Sequence, residues 1–283
     1  MSNWILLTIL YSFFTALFES AKKKAVEKNS IYTVLTIFTT MSFFLIFLTT
    51  KDAFNINYNY VPIILIKSTI IVIAWILGLK AIEQMQISIY GIVKISRIIF
   101  SVILSCFILG ETITIIGIIG MFIAIIGLVL VNCTANNNNS KKPNTKVVLM
   151  LLLSCFLNSV SAIIDKKILL YISCSQLQFW FLLFLTIYYW LIFIIKKEKI
   201  NIKKTCNNYW IIIASLCLVL GDRALFIANK DTNSQVVIMT MLKQISVIIT
   251  ILLGKIMFKE KETLKKLLYS ILILFGILIM IIF

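Results

Sequence analysis

The sequence contains no histidine, and no two of its six cysteines form a Cys-x-x-Cys pair. Metal-site spacing is missing as a result, and no cofactor is called for. The thiols are Cys106, Cys133, Cys155, Cys174, Cys206 and Cys217, several of them inside apolar runs where a thiol behaves as a small hydrophobe. Only two prolines and nine glycines occur in 283 residues, which excludes collagen-like and turn-rich all-β chains. Charged residues make up 13%, too few for the surface of a soluble domain of this size. Paired catalytic acids and a Gly-rich phosphate loop are also missing, so the chain is not expected to be an enzyme. No basic leader precedes the first apolar run, and Trp4–Phe18 reads as a retained helix rather than a signal peptide.

What is abundant is apolar. Hydrophobic residues make up 61% of the chain and the mean hydropathy is +1.04. A backbone in lipid must satisfy itself, which leaves helices or a closed barrel. Barrel strands alternate apolar and polar residues, whereas Ile113–Val131 and Leu264–Phe283 are continuously apolar. The expected fold is therefore an all-α integral membrane protein of ten transmembrane helices. The spans read as 4–20, 30–50, 61–80, 86–109, 113–132, 146–164, 175–195, 209–229, 234–258 and 264–282.

The formal charge of +16 would suggest nucleic acid in a soluble chain. Here most lysines lie in short loops, where lipid headgroups and topology account for them, so the expected partners are the bilayer and a small-molecule substrate, with no nucleic acid. A composition rich in Ile, Lys and Asn also inflates the lysine count. Loops after odd-numbered spans hold 17 lysines against 4 after even-numbered spans. The positive-inside rule then places both termini outside.

An Asn-rich stretch at 136–145 divides the chain into segments 1–135 and 146–283, with five spans each. Thr8, Ser12, Thr15 and Glu19 share one helical face in the first span. Ser154, Asn158, Ser161 and Asp165 repeat that face in the sixth span, each 146 residues later. At an offset of 149, Lys94 matches Lys243, Ser101 matches Thr250, Glu111 matches Glu260 and Gly127 matches Gly276. Five spans per half turn the second repeat upside down relative to the first. Inverted repeats are a common transporter architecture, with the site at the repeat interface.

The stretch Ala81–Val131 ends one helix in a corner, Leu109-Gly110-Glu111-Thr112, and continues into a glycine-spaced helix. Residues Ala228–Ile282 repeat the theme, with Glu260 at the second corner. In these features the chain resembles the EamA-type domains of the drug/metabolite transporter superfamily. It departs from them in having Lys259 where the first corner has Gly110, and in lacking prolines at the start of the fourth and ninth helices. The resemblance implies a ten-helix transporter in which helices one, three, four, six, eight and nine surround a central cavity. It also implies termini inside, against the lysine count; both readings agree that the termini share a side. Some relatives that carry sugar phosphates or nucleotide sugars use basic residues on these helices, which favours an anionic or zwitterionic substrate.

A charge at the centre of a span costs about 2.5–3.5 kcal/mol on insertion scales. The deep charges are Lys94, Arg97, Asp222, Arg223 and Lys243. Tyr90, Lys94 and Arg97 lie on one stripe of the fourth span, and Lys243 lies on a stripe of the ninth. Arg suits bidentate recognition of a carboxylate or phosphate, and Lys supplies a point charge. The competing reading is internal pairing, with Asp222 neutralising one cation. Four deep cations against one deep anion make complete neutralisation hard. Ser12 and Asn158 are further cavity candidates, or helix–helix glue. Trp75, with Tyr11 and Trp180, could pack on a ligand, though ordinary packing suits Trp75 as well.

Other features read as structural. Lys67 is expected to be shallow and to snorkel. Glu19 and Asp165 invite a proton-coupling role, but they lie at helix ends and are expected as interfacial caps beside Lys22–Lys24 and Lys166–Lys167. Glu111 and Glu260 are expected near the N-terminus of the next helix. Trp4 and Trp210 read as belt residues. Gly117, Gly120, Ala124 and Gly127 form a small-residue face suited to close packing or to a homodimer. The expected function is secondary transport of a small anionic or zwitterionic metabolite, and the expected location is the plasma or cytoplasmic membrane. The alternatives are an exporter of cationic drugs or quaternary amines, and a lipid-headgroup flippase subunit.

Overall fold

The computed structural model describes residues 3–84, 93–134, 144–198, 205, 207–258 and 263–282. Tyr90, Lys259, Glu260 and most of the Asn-rich linker lie outside these residues. The helices are α1 (Asn3–Val26), α2 (Ile31–Thr49), α3 (Val61–Gln84), α4 (Ser96–Leu104), α5 (Ile115–Thr134) and α6 (Thr145–Ile168). They continue as α7 (Cys174–Ile195), α8 (Tyr209–Lys230), α9 (Val236–Leu242), α10 (Ile245–Phe258) and α11 (Thr263–Ile282). No strand occurs among the described residues. Eight helical spans are long and apolar enough to cross a membrane, with α9 and the first part of α10 counting as one. Two shorter apolar helices, Ser96–Leu109 and Ile115–Leu130, stand where the fourth and fifth spans were expected. The chain is thus an all-helical, multi-pass integral membrane protein.

Several hydroxyls buried in the spans are satisfied within their own helix. Thr8 Oγ1 donates to the Trp4 carbonyl at 2.8 Å, Ser12 Oγ to Thr8 at 2.9 Å and Ser68 Oγ to Ile64 at 2.8 Å. Such i−4 back-bonds satisfy a hydroxyl within its own helix.

The chain folds into two compact units, and each draws on both sequence halves. The first comprises Met1–Val72 and Asp165–Thr232; the second comprises Ile73–Ile164 and Asn233–Phe283. This partition describes packing, whereas the sequence repeats describe kinship of segments. Both α3 and α6 are divided between the units.

In the first unit α1 packs on α8, and α2 on α7 and α8. Ser42 Oγ donates to the Ser215 carbonyl at 3.2 Å, and Ser215 Oγ returns a bond to Phe38 at 3.1 Å. Trp4 is 6% exposed, so it is a packing residue here and not a belt residue. Trp180 also packs internally: its Nε1 donates to the Ala53 carbonyl at 3.0 Å, and its ring meets Phe54 edge-on.

In the second unit α5 packs along α11. A Cβ on Gly120 would lie 2.7 Å from the Gly276 carbonyl oxygen, and one on Gly127 2.9 Å from the Ile273 nitrogen. A Cβ on Gly276 would collide with the Gly120 carbonyl and the Ala124 nitrogen. The small-residue face of α5 is therefore covered by α11 of the same chain, which is the close backbone approach that small residues permit. Gly110 differs: it has φ +68° at the end of α4 and open space around its Cβ position. Gly276→Val is expected to destabilise by about 1–3 kcal/mol through overpacking. Gly110→Asn, which tolerates the left-handed conformation, should stay near wild type. Thermal unfolding of the purified variants in detergent checks both.

Candidate functional site: interrupted helices and a buried ion pair

Two helices of the second unit are interrupted at the matched lysines. In the fourth span Val93 and Lys94 are helical, Ile95 forms a turn, and α4 starts at Ser96. In the ninth span Lys243 and Gln244 form a turn between α9 and α10. Both interruptions tighten into 3₁₀-type bonds. Ile98 N–H donates to Ile95 at 2.9 Å, Gln244 to Met241 at 2.9 Å and Ser246 to Lys243 at 3.1 Å. A 3₁₀ stretch inside a helix often marks a hinge. No proline is involved; polar side chains supply the missing partners. Gln244 Nε2 donates to the Thr240 carbonyl at 3.0 Å, and Ser246 Oγ to Lys243 at 2.6 Å. In the fourth span the donors come from α6: Ser159 Oγ bonds the Arg97 carbonyl at 3.2 Å and Cys155 Sγ the Lys94 carbonyl at 3.9 Å.

These two spans belong together, because α4 packs on α9. Lys94 is exposed from the protein, and Arg97 and Lys243 are half-buried. Glu111 adds a further tie. After α4 the chain makes a π-helical turn, Ser105–Leu109, and passes through Gly110 to Glu111. The Glu111 carboxylate accepts from the backbone N–H of Val236 at 2.6 Å and of Val237 at 3.0 Å. Glu111 was expected near the N-terminus of the next helix, α5. It caps α9 instead, because the π turn and the left-handed Gly110 direct the corner that way.

The remaining expected site residues divide between the units. Trp75 and Asn158 lie in the second, where both are half-buried. Asn158 Nδ2 donates to Ser154 at 2.8 Å, and Ser154 Oγ reaches across to the Ala74 carbonyl at 2.6 Å. Ser12, Asp222 and Arg223 lie in the first. Ser12 is fully buried, Asp222 is half-buried, and Arg223 Nη2 donates to Ser175 Oγ at 2.6 Å.

The first unit holds a pair that sequence reasoning missed. Lys67 is 1% exposed and Asp165 6%, and Lys67 Nζ lies 2.7 Å from Asp165 Oδ1. The same ammonium stands 3.6 Å from the Phe181 ring centroid and 4.9 Å from that of Phe226. Lys67 does not snorkel, because α7 and α8 close over it. Asp165 meets Lys67 on another helix, while Lys166 Nζ is directed to the Asn229 and Asp231 carbonyls at the end of α8, at 3.0 and 2.7 Å. Glu19, its repeat counterpart, does sit beside a nearby lysine, 2.9 Å from Lys22 Nζ. A signal existed in the sequence. Lys67 lies near the start of the third span and Asp165 near the end of the sixth, and antiparallel counting puts both at one membrane face.

Long apolar helices in this number define a multi-pass membrane protein. The chain belongs to the EamA-like transporter family, whose pattern matches residues 2–133 and again residues 145–282. This places it with the drug/metabolite transporter superfamily and shows a two-repeat pattern across the chain. Among solved structures, 28 chains match. One protein crystal structure is 13% identical with a TM-score of 0.72, covering 98% of this chain and 94% of its own, and supports the fold alone. No curated protein matches the chain significantly.

Replacing Glu111 by Ala removes both acceptors from the start of α9 and is expected to cost about 0.5–2 kcal/mol, as for loss of a helix cap. Glu111→Gln should retain part of the cap and fall between. Thermal unfolding of the three proteins checks the order.

Proposed function

We propose that the chain is a secondary transporter of a small anionic or zwitterionic metabolite. In this reading it has ten transmembrane helices in two inverted repeats, 1–135 and 146–283, joined by the 136–145 linker, and works by alternating access. The observation that carries the reading is the placement of matched lysines at matched helix interruptions. An irregular backbone at membrane depth is tolerated where it is buried in protein or lines a water-filled cavity. A cation at the same point adds its own cost. Lys94 and Lys243 combine both costs at repeat-related positions, and Arg97 adds a guanidinium fork three residues beyond Lys94. A carboxylate or phosphate is the ligand chemistry that suits two ammonium groups and a guanidinium fork.

A thermal-stability screen of the purified protein with glutamate, succinate, glucose 6-phosphate and choline tests this. A ligand that binds only the folded state, present at a hundred times its Kd, stabilises by about 2.7 kcal/mol. Stabilisation by one of the anions, lost in both Lys94→Ala and Lys243→Ala, is the expected result. Stabilisation by choline alone, unchanged in both variants, overturns the anionic reading.

A further inference from the structure

Among the described residues, Lys67 and Asp165 are the charged side chains in the buried class. Stability is a poor reason for such a pair. Desolvating two ions is costly, and apolar replacements of similar volume are often neutral or stabilising. The surroundings of the two ions are also unequal. The Lys67 ammonium has the carboxylate and two aromatic faces, Phe181 and Phe226. Cation–π attraction strengthens when water is excluded from the contact. If Asp165 takes a proton, the rings continue to hold the ammonium. The carboxylate is thus the member that can change state without leaving a buried charge unanswered.

We propose that Asp165 is the exchangeable proton site of this transporter, with Lys67 as its fixed counter-ion in an aromatic cage. This rests on the transport reading above and adds the coupling ion. The step is a simple protonation. A proton from water forms an O–H bond on the Asp165 carboxylate, the Lys67 ammonium keeps its protons, and the cage changes from neutral to singly positive. Release reverses it. The path to water is short, because Asp165 stands three residues from the end of α6, about 5 Å along the axis.

Of the other charged groups at this end of the unit, Asp222 lies one turn before Phe226 on α8 and is half-buried. Lys166 bonds the α8 carbonyls, Lys167 is exposed, Arg223 on α8 bonds Ser175, and Asp52 accepts from Ser173 Oγ at 2.9 Å. On α7 the group facing the cage is Phe181, and on α8 it is Phe226. The pair joins α3 to α6 within the first unit.

The test uses the full chain reconstituted in liposomes. Infrared difference spectra between mildly alkaline and mildly acidic buffer should show a protonated-carboxyl band that Asp165→Asn lacks. Lys67→Gln should alter the pH dependence of that band, because it removes the carboxylate's counter-ion. Uptake of radiolabelled glutamate, succinate and glucose 6-phosphate is followed with and without an imposed proton gradient. In Asp165→Asn, exchange should persist while acceleration by the gradient is lost. Lys67→Met combined with Asp165→Leu guards against misfolding, because it leaves no buried charge; it too should lose the acceleration. Acceleration retained in that double variant, or a carboxyl band unchanged in Asp165→Asn, overturns the proposal. If the wild type moves none of the three anions, the transport reading fails on its own, and the infrared band still decides whether Asp165 binds a proton.

Discussion

A polar group inside a bilayer has no water to fall back on, so each one this chain carries must find its partner within the protein. That constraint organises the structure. It makes every span helical, and it turns the hydroxyls of Thr8, Ser12 and Ser68 back onto their own helix carbonyls. It also decides where irregular backbone can occur. The interruptions at Ile95 and at Lys243–Gln244 persist because Ser159, Cys155, Gln244 and Ser246 supply the bonds that the helix gives up.

The two compact units handle charge differently. In the first, Lys67 and Asp165 neutralise each other, Arg223 bonds Ser175, and Lys166 caps the carbonyl end of α8. In the second, Lys94, Arg97 and Lys243 stand at or near helix interruptions, with Glu111 used to hold the start of α9. The EamA-like family match frames both as parts of a transporter.

Much of this was legible in the residues. Continuous apolar runs with few charges specify membrane helices, and the corner at Leu109–Thr112 with its repeat carries the likeness to the family. The 149-residue offset pairs Lys94 with Lys243, and the structure interrupts the two spans at Ile95, next to Lys94, and at Lys243–Gln244. Other features were misread for a common reason: a helical sequence shows its own neighbours along one face but not those across the bundle. Asp165 looked paired with Lys166–Lys167 because they are adjacent in sequence, and Glu111 looked like a cap for α5 because that helix comes next. The glycine face of α5 offered a surface for close packing without saying that α11 would fill it.

The sequence by itself determined the solvent, the secondary structure and the kinship of the halves, because these depend on composition and on short-range period. Tertiary structure alone decided which charges meet. Lys67 and Asp165 are nearly a hundred residues apart, and Glu111 and Val236 are further still. Such contacts depend on helix rotation and on the direction of each corner. Those angles come from the summed packing of many apolar side chains, which no local pattern records.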